Sequence, residues 1–523
     1  MVVRKTPGLE GLLLAVFFSL LIITALATYR DYGETYDTWL HLDYGKLMLE
    51  FLKTGDRAFE QFHDLSYYGP LADTAAEFAL NVLSPSTHTE AVEQRHLINF
   101  LISLIGLIAI YHTLKMVYGW KAGFAGMLIF LFLPSIYGHS FNNPKDVIFG
   151  SMYMASLWGV MFYLQDKTLP KALLAGFLTG IAIDQRIGGV FLIAVFFSAL
   201  AYSLSDDAKR EGIKAVLMRA LYGAIVFLIA ASAAVYTFHP FLWPDPFDRL
   251  ATIYRIMSDF PGTIGNNQTL FMGRFYDIRH LPWYYIPVWV NITVPLLTLL
   301  FIYCAVILGT VRFFKNNLTR NERHLVIISA AAVLFPVIAI IIKDSVLYDG
   351  IRHLIFIFYP LVLLSVFGLA SLFRILPLTG LRYGLIVSMI IYYIFIGREM
   401  VLLHPYQSLY FNEVAGGLKG AAERFETDYW GSSYKEGIAW LNKNTIGEVK
   451  VAAGSHFSMD HYFRPGITLV RRNPDFYIST TRYNEHERVK TAPVHTVAVE
   501  GVDILYIKPV SEEAFLKLRV EAH

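Results

Sequence analysis

Apolar runs of bilayer-spanning length constrain this 523-residue chain more than any other feature. A transmembrane helix needs about 20 predominantly apolar residues. About eleven stretches meet or approach that ruler, at residues 10–29, 96–114, 122–138, 147–164, 171–183, 187–204, 216–238, 283–311, 325–342, 353–373 and 382–400. Hydrophobic residues make up 55% and charged residues 16%, whereas soluble domains carry about a quarter charged residues. The chain therefore reads as an α-helical integral membrane protein. Its net charge of +2 gives no basic surface for nucleic acid. The fifth run is short. Its junction with the sixth, "DQRIGG", leaves a long hairpin or a re-entrant segment open. "ALA" at 25–27 looks like a signal cleavage site, but the apolar stretch from Gly11 to Thr28 exceeds a signal h-region, so it is read as a retained first helix.

Basic residues mark the cytoplasmic connections of membrane proteins. With Arg4 and Lys5 inside, alternation also places inside Lys115 and Lys121, Lys167 and Lys171, the group Lys209, Arg210, Lys214 and Arg219, the segment "VRFFKNNLTRNER", and Arg374 with Arg382. Residues 30–95, 139–146, 184–186, 239–282, 343–352 and the tail from about 401 then lie outside. The first outer segment is expected to carry short helices along the membrane surface. The aromatic-rich 239–282 suits the headgroup level. Residues 1–400 read as the membrane domain and 401–430 as a connecting segment. Residues 431–523 read as a small soluble outer α/β domain. There "YKEGIAWLNKN" is a helix, and "EVKVAAG", "GITLV", "DFYIST", "HTVAVEG" and "VDILYIKP" are strands. "SEEAFLKLRV" closes the chain as a helix with Ser511 as N-cap. Cys304 is the only cysteine, so no intramolecular disulfide forms.

Charges at span ends are costly and tend to face a cavity or a partner. Four outer helix ends carry them: Glu34, Asp37, His41 and Asp43; Asn142, Asn143, Lys145 and Asp146; Asp184 and Arg186; and Lys343, Asp344, Tyr348, Asp349, Arg352 and His353. Taken singly, each is an ordinary solvated anchor, and Asp43, Lys46 and Lys343 read that way. Together they suit an anionic substrate and a proton acceptor. A lipid phosphate at the outer leaflet is the natural anion, since arginine grips phosphate with two donors and lysine as a point charge. The sequence has no GxGxxG after a strand, no Walker A loop and no HExxH, so the energy of any reaction comes with the substrate. Asn267-Gln268-Thr269 fits the glycosylation sequon. A transporter or flippase for a lipid-linked sugar is the rival reading. Transporters commonly show internal repeats and mid-bilayer sites, neither of which is apparent here.

"TYDTWLHLDYG" (35–45) resembles the first-loop motif of the polyprenyl-phosphate-sugar-dependent glycosyltransferases of GT-C type, the group of protein O-mannosyltransferases and aminoarabinose transferases. Asp37, His41, Tyr44 and Gly45 match that motif. Thr38 and Trp39 replace its Glu and Pro, and Glu34 is a candidate substitute for the missing acid. "FNNPKD" (141–146), "YDGIRHLIFIFYP" (348–360), "HPYQSLYFNEVAGG" (404–417) and "FETDYW" (425–430) are similar to other segments of bacterial members. The overlapping "TDYWG" shares letters, but not order, with an oligosaccharyltransferase motif and is read as coincidence. The resemblance implies a helical bundle with an outer-face active site in a bacterial inner (plasma) membrane, with the N-terminus cytoplasmic and the tail periplasmic or extracellular. It implies an inverting transfer from a polyprenyl-phosphate-sugar donor to a lipid, glycan or protein acceptor. Asp37 would then be the catalytic carboxylate, with Asp146 and Glu34 as further acids. Lys145, Arg186, Arg352 and His353 would hold the donor phosphate, and His41, Asn143 and Tyr348 would line the site. Some members of the group bind a divalent metal ion. Asp37, His41 and Asp146 would supply its ligands, although no ligand spacing in this chain demands one.

Overall fold

The computed structural model describes residues 8–258, 268–454 and 459–518. The first apolar run forms α1 (Leu9–Thr28). The outer segment that follows folds into α2 (Thr38–Thr54) and α3 (Leu71–Leu83), with two short 3-10 turns between them. α4 (His88–Tyr118) starts where the Thr87 hydroxyl accepts from the Glu90 amide at 3.1 Å, which satisfies one of the unpaired donors of a helix start. α5 (Trp120–Leu131) and α6 (Pro134–Asn142) meet at 74°. Pro134 has no N–H to continue the α5 ladder, and its fixed φ suits a new first turn.

α7 (Asp146–Asp166), α8 (Leu169–Gln185), α9 (Phe191–Glu211) and α10 (Ile213–Phe238) follow, then the short α11 (Pro246–Ser258). "DQRIGG" is a break between two separate helices. Pro144 stands two residues ahead of α7. A small hairpin, β1 (Gln268–Phe271) and β2 (Arg274–Asp277), precedes α12 (Tyr285–Thr293) and α13 (Leu296–Phe314). The run expected as one span over 283–311 is thus divided, with Pro295 at the break. The capping box of Thr319 and Glu322 opens α14 (Arg320–Lys343). α15 (Phe358–Ile375) and α16 (Thr379–Leu402) complete the bundle. Nine helices among the described residues are long and apolar enough to cross a membrane, or ten if the bent α5–α6 pair is one span. α8, with 17 residues, is the short fifth run.

The burial pattern sorts the helices. The span leading into α15 is 89% buried, and that of α7 is 83% buried, whereas α16 is 11% and α1 17% buried. A helix apolar on every side sits either in the centre of a bundle or against lipid. α7 and α15 therefore form the centre, and α1 and α16 present leucine and isoleucine outward. α8 meets α10 closely at Gly176 and Gly180, where a β-carbon would strike the carbonyls of Phe227 and Ala231. Small residues four apart let helix backbones approach where lipid gives no hydrophobic drive.

At one end of the bundle, Arg312 Nη2 donates to both carboxylate oxygens of Glu322, at 3.0 and 2.9 Å. Glu322 also accepts from the Tyr118 hydroxyl at 3.0 Å and pairs with Arg374 at 3.0 Å. Asp207 there pairs with Lys167 and, at 2.7 Å, with Arg320. Four of the basic residues that set the expected orientation, Lys167, Arg312, Arg320 and Arg374, are therefore bonded to buried acids. The opposite end holds the outer helix ends singled out above.

The chain leaves α16, passes the short α17 (Gly417–Ala421) and enters a small sheet domain through α18 (Tyr434–Asn444). The five expected strands are β3 (Val449–Ala453), β4 (Ile467–Leu469), β5 (Phe476–Thr480), β6 (His495–Val499) and β7 (Val502–Pro509). They order as β4-β3-β5-β7-β6. β3 is parallel to both β4 and β5, while β7 runs antiparallel to β5 and β6. The last segment departs from expectation. Glu512–Lys517 is a 3-10 turn, and the Ser511 side chain makes no capping bond.

Candidate active site

The first loop is pinned before it delivers Asp37. The Thr35 hydroxyl donates to the Asn142 carbonyl at the end of α6 (2.8 Å), and the Tyr36 amide donates to the Trp430 carbonyl (3.3 Å). α2 is fixed from its other face by a buried chain. His41 Nδ1 meets Asp73 Oδ2 at 2.7 Å, Arg95 donates to Asp73 (2.5 Å) and to Asn99 (2.8 Å), and Asn99 donates to the Phe141 carbonyl (2.9 Å). Asp37 stands at the N-cap of α2, yet its carboxylate makes no capping bond. Forgoing a cap costs about 0.5–2 kcal/mol. The carboxylate turns instead to Lys145 Nζ at 2.8 Å and Arg352 Nη1 at 3.4 Å. Burial acts to raise the Asp37 carboxyl, but Lys145 and Arg352 outweigh it and hold the group well below the usual carboxylate range. Burial likewise acts to lower the Lys145 ammonium, and Asp37 reverses that and holds it above its ordinary value.

"NNPKD" is shaped by Asn143. Its Oδ1 accepts from the amides of Lys145 (3.2 Å) and Asp146 (2.8 Å), and its Nδ2 donates to Asp146 Oδ2 (3.2 Å). Asp146 is the first residue of α7, where the helix dipole favours an anion. Its carboxylate pairs with Arg186 and, at 3.4 Å, with Arg352.

Arg352 is the hub. Two consecutive left-handed residues, Asp349 (φ +57°) and Gly350 (φ +64°), turn the chain into it. The guanidinium is buried and lies over the Trp430 ring at 4.5 Å. Besides Asp37 and Asp146, it donates to Asp349 Oδ2 at 2.8 Å. Asp349 Oδ1 accepts in turn from Arg482 of the sheet domain at 2.5 Å, and Arg482 also donates to the Tyr429 carbonyl at 2.7 Å. Lys145, Arg186, Arg352 and Arg482 thus meet Asp37, Asp146 and Asp349, which leaves a positive charge in excess. Lys145 and Arg186 keep 15% and 21% of their side chains exposed, against 2% for Arg352. A ligand arriving from solvent reaches the first two.

Most of the residues expected at the site come together. Tyr348 packs on His353 at 4.5 Å between ring centres and under Arg352 at 5.3 Å, which sets His353 beside the same cations. Glu34 does not join them. It is buried next to His461 (3.4 Å), and its amide donates to the Tyr462 hydroxyl at 3.1 Å. Its side chain leaves the loop on the side of the sheet domain, so it does not substitute for the acid missing from the first-loop motif. Asp184 pairs with His239 at 3.3 Å and receives the Gly69 amide on its backbone carbonyl. Asp43 and Lys46 form an exposed pair at 2.8 Å, as expected of solvated residues. The expected metal set also does not converge. The carboxylates of Asp37 and Asp146 face lysine and arginine, and the ligand atoms of Asp37, His41 and Asp146 do not gather within 4.8 Å of one another, so these residues do not fit a metal ion. Asn267 of the sequon lies outside the described residues, as do Arg4 and Lys5.

Sequence reasoning missed Arg482 and Trp430 as parts of this cluster. Asp349 was visible only as one more outer charge within "YDGIRH". Nothing around Arg482, in a turn after β5, marks it as the partner of Asp349, 133 positions earlier, because no local pattern encodes such a pairing. "TDYWG" carried a weak signal. Its Trp430 covers Arg352, and its Tyr429 hydroxyl meets His139 Nε2 at 3.1 Å.

Comparison with known proteins gives the fold an independent reference. The family model described as dolichyl-phosphate-mannose-protein mannosyltransferase matches residues 90–236. The structure of ArnT from Cupriavidus metallidurans bound to undecaprenyl phosphate superposes with a TM-score of 0.50 at 12% identity, covering 96% of this chain and 98% of that one. The apo form of the same protein gives 0.48 at 12%, covering 94% and 98%. The archaeal oligosaccharyltransferase AglB from Archaeoglobus fulgidus, in complex with an inhibitory peptide and a dolichol-phosphate, gives 0.46 at 11%, covering 86% and 66%. Comparison with curated proteins finds no match. The membrane bundle with its small C-terminal sheet domain is a GT-C fold of the ArnT type.

Proposed function

We propose that this chain is an inverting glycosyltransferase. It moves a sugar from a polyprenyl-phosphate-linked donor to a lipid, glycan or protein acceptor at the outer face of a bacterial inner membrane. The observation that carries this reading is the partly exposed Asp37 carboxylate set against Lys145 and Arg352, with Asp146 and Arg186 beside it. ArnT, whose fold is shared, has been crystallised with undecaprenyl phosphate, which agrees with a lipid-phosphate donor here.

Lys145 and Arg186 meet the donor phosphate as the accessible cations. His353, packed on Tyr348, lines the site beside them. Arg352, expected to hold the phosphate as well, is buried against Trp430 and instead positions Asp37 and Asp146. As phosphate takes over Lys145, Asp37 loses the cation that most depresses its basicity, so donor binding readies the base. Asp37 accepts the proton of the acceptor nucleophile, which attacks the anomeric carbon on the face opposite the phosphate. The bond from that carbon to the phosphate oxygen breaks, and its electron pair leaves with polyprenyl phosphate, whose growing charge the cations stabilise. Base catalysis of this kind contributes typically about 10²–10⁴-fold.

The experiment is Asp37→Asn in the full-length chain, purified in detergent or nanodiscs. Transfer is expected to fall by at least about 10²-fold, while membrane insertion and thermal stability stay near wild type. Mass spectrometry of the lipid products reads out cleavage of the sugar–phosphate linkage. Wild-type transfer in the variant, or a donor that changes leaflet with its linkage intact, overturns the assignment. The second outcome would point to a flippase.

A further inference from the structure

Glu34 occupies a setting that the transfer reaction does not use. It is 1% exposed, and neither carboxylate oxygen has a hydrogen-bond partner. A buried carboxylate that faces an imidazole at 3.4 Å without a formed hydrogen bond is costly. Beside it lie His88, from the first turn of α4, and His461, from a turn of the sheet domain, with their rings 4.7 Å apart. His88 Nε2 is likewise buried without a hydrogen-bond partner. One ligand atom from each of Glu34, His88 and His461 lies within 4.8 Å of the other two. Among the described residues no other three histidine, cysteine or acidic side chains come this close.

We infer that Glu34, His88 and His461 form a binding site for a divalent transition-metal ion of the zinc type. Two imidazoles and one carboxylate are a donor set that zinc takes, with bonds of about 2.0–2.2 Å and a fourth position left to water. Ligands around such an ion sit somewhat closer together than the three atoms do here, so small side-chain rotations would complete the geometry. His88 also lines a pocket of about 240 Å³ that runs between α2, α3 and α4 past Lys46 and Asn81, which gives water and ion a route in. The three ligands come from the first outer loop, the start of α4 and the sheet domain, segments that are far apart in sequence. A bound ion therefore fastens the sheet domain to the loop that carries Asp37, three residues beyond Glu34. The role is structural and independent of the transfer chemistry.

The test uses full-length protein stripped with chelator, desalted and titrated with Zn²⁺ alone. Calorimetry and elemental analysis are expected to show a single tight equivalent and a rise in Tm. In His88→Ala and Glu34→Gln, affinity should drop by about 100-fold or more, the scale seen when even the supporting partners of a metal site are removed. The Tm response to Zn²⁺ should vanish with it. His280→Ala, which removes an exposed histidine paired with Asp344, should bind like wild type. Co²⁺ added to wild-type protein should give the visible absorption of a four-coordinate site, a readout that does not depend on any variant folding. Absence of retained zinc in wild type, or equal retention in wild type and His88→Ala, overturns the site. Loss of transfer in Asp37→Asn has no bearing on either result.

Discussion

With Lys145 and Arg352 in place, the Asp37 side chain stays deprotonated well below the ordinary aspartate value of about 3.9. The acid limb of kcat/KM in wild type should therefore lie below that range. Lys145→Met removes one of the two cations that lower the carboxyl and leaves the burial that raises it. The acid limb should move to higher pH in the pH–rate profile, together with a weaker KM for the donor. An unmoved limb would show that Asp37 is not the titrating base. Glu426 has the opposite sign. Burial, then Asp349, push its carboxyl up to about 7, against the pull of Arg482. A raised acid stabilises the fold fully below the ordinary glutamate value of about 4.3, and that contribution is lost as pH rises through about 7. Glu426→Gln should thus gain Tm over wild type at pH 8 and little at pH 5. A gain equal at both pH values would refute the raised carboxyl. The sequence displayed Lys145, Asp146, Arg186 and Arg352 because each sits at the end of a recognisable span, and Asp37 because it stands in the first-loop motif. It misdirected on Glu34, because three residues along an irregular loop are enough to turn a side chain to another partner, and no periodicity reports that.

Among the helices, hydropathy revealed where each lies but not how it breaks. All eleven runs contain helix. The 74° bend at Pro134 and the break beside Pro295 come from missing backbone donors, which a window average over about 19 residues smooths away. The bend matters to the site. It sets the direction of α6, whose last residue, Asn142, receives Thr35 on its carbonyl and so fixes the loop that presents Asp37. The contact of α8 with α10 is a second geometric dependency, since α8 ends one residue before Arg186. Gly180→Leu forces the two backbones apart, and overpacking of this kind costs about 1–3 kcal/mol. The expected result is a lower Tm in detergent together with a weaker donor KM, as the end of α8 shifts Arg186. Gly384→Leu, on α16 where a β-carbon would have no atom within 4 Å, is the control that should leave both unchanged.

Across the molecule, the sheet domain reaches into the membrane site. Its strands were legible from alternating β-branched and aromatic residues, but their purpose was not, because it rests on one long side chain. Arg482 bonds Asp349, Asp349 bonds Arg352, and Arg352 holds both Asp37 and Asp146. Removing Arg482 leaves Asp349 free to draw Arg352 away from the other two acids. Arg482→Met should therefore slow transfer although the residue touches neither donor nor acceptor. A misplacement of about 1 Å can cost 10²-fold in rate, and a fall in kcat of that order with the donor KM little changed is the expected outcome. Arg482→Lys keeps the charge but cannot serve Asp349 and the Tyr429 carbonyl with a planar fork, so it should recover only part of the rate. If Arg482→Met instead raised KM and spared kcat, the domain would be acting on donor access, and the chain of ion pairs would be a clamp without influence on the base.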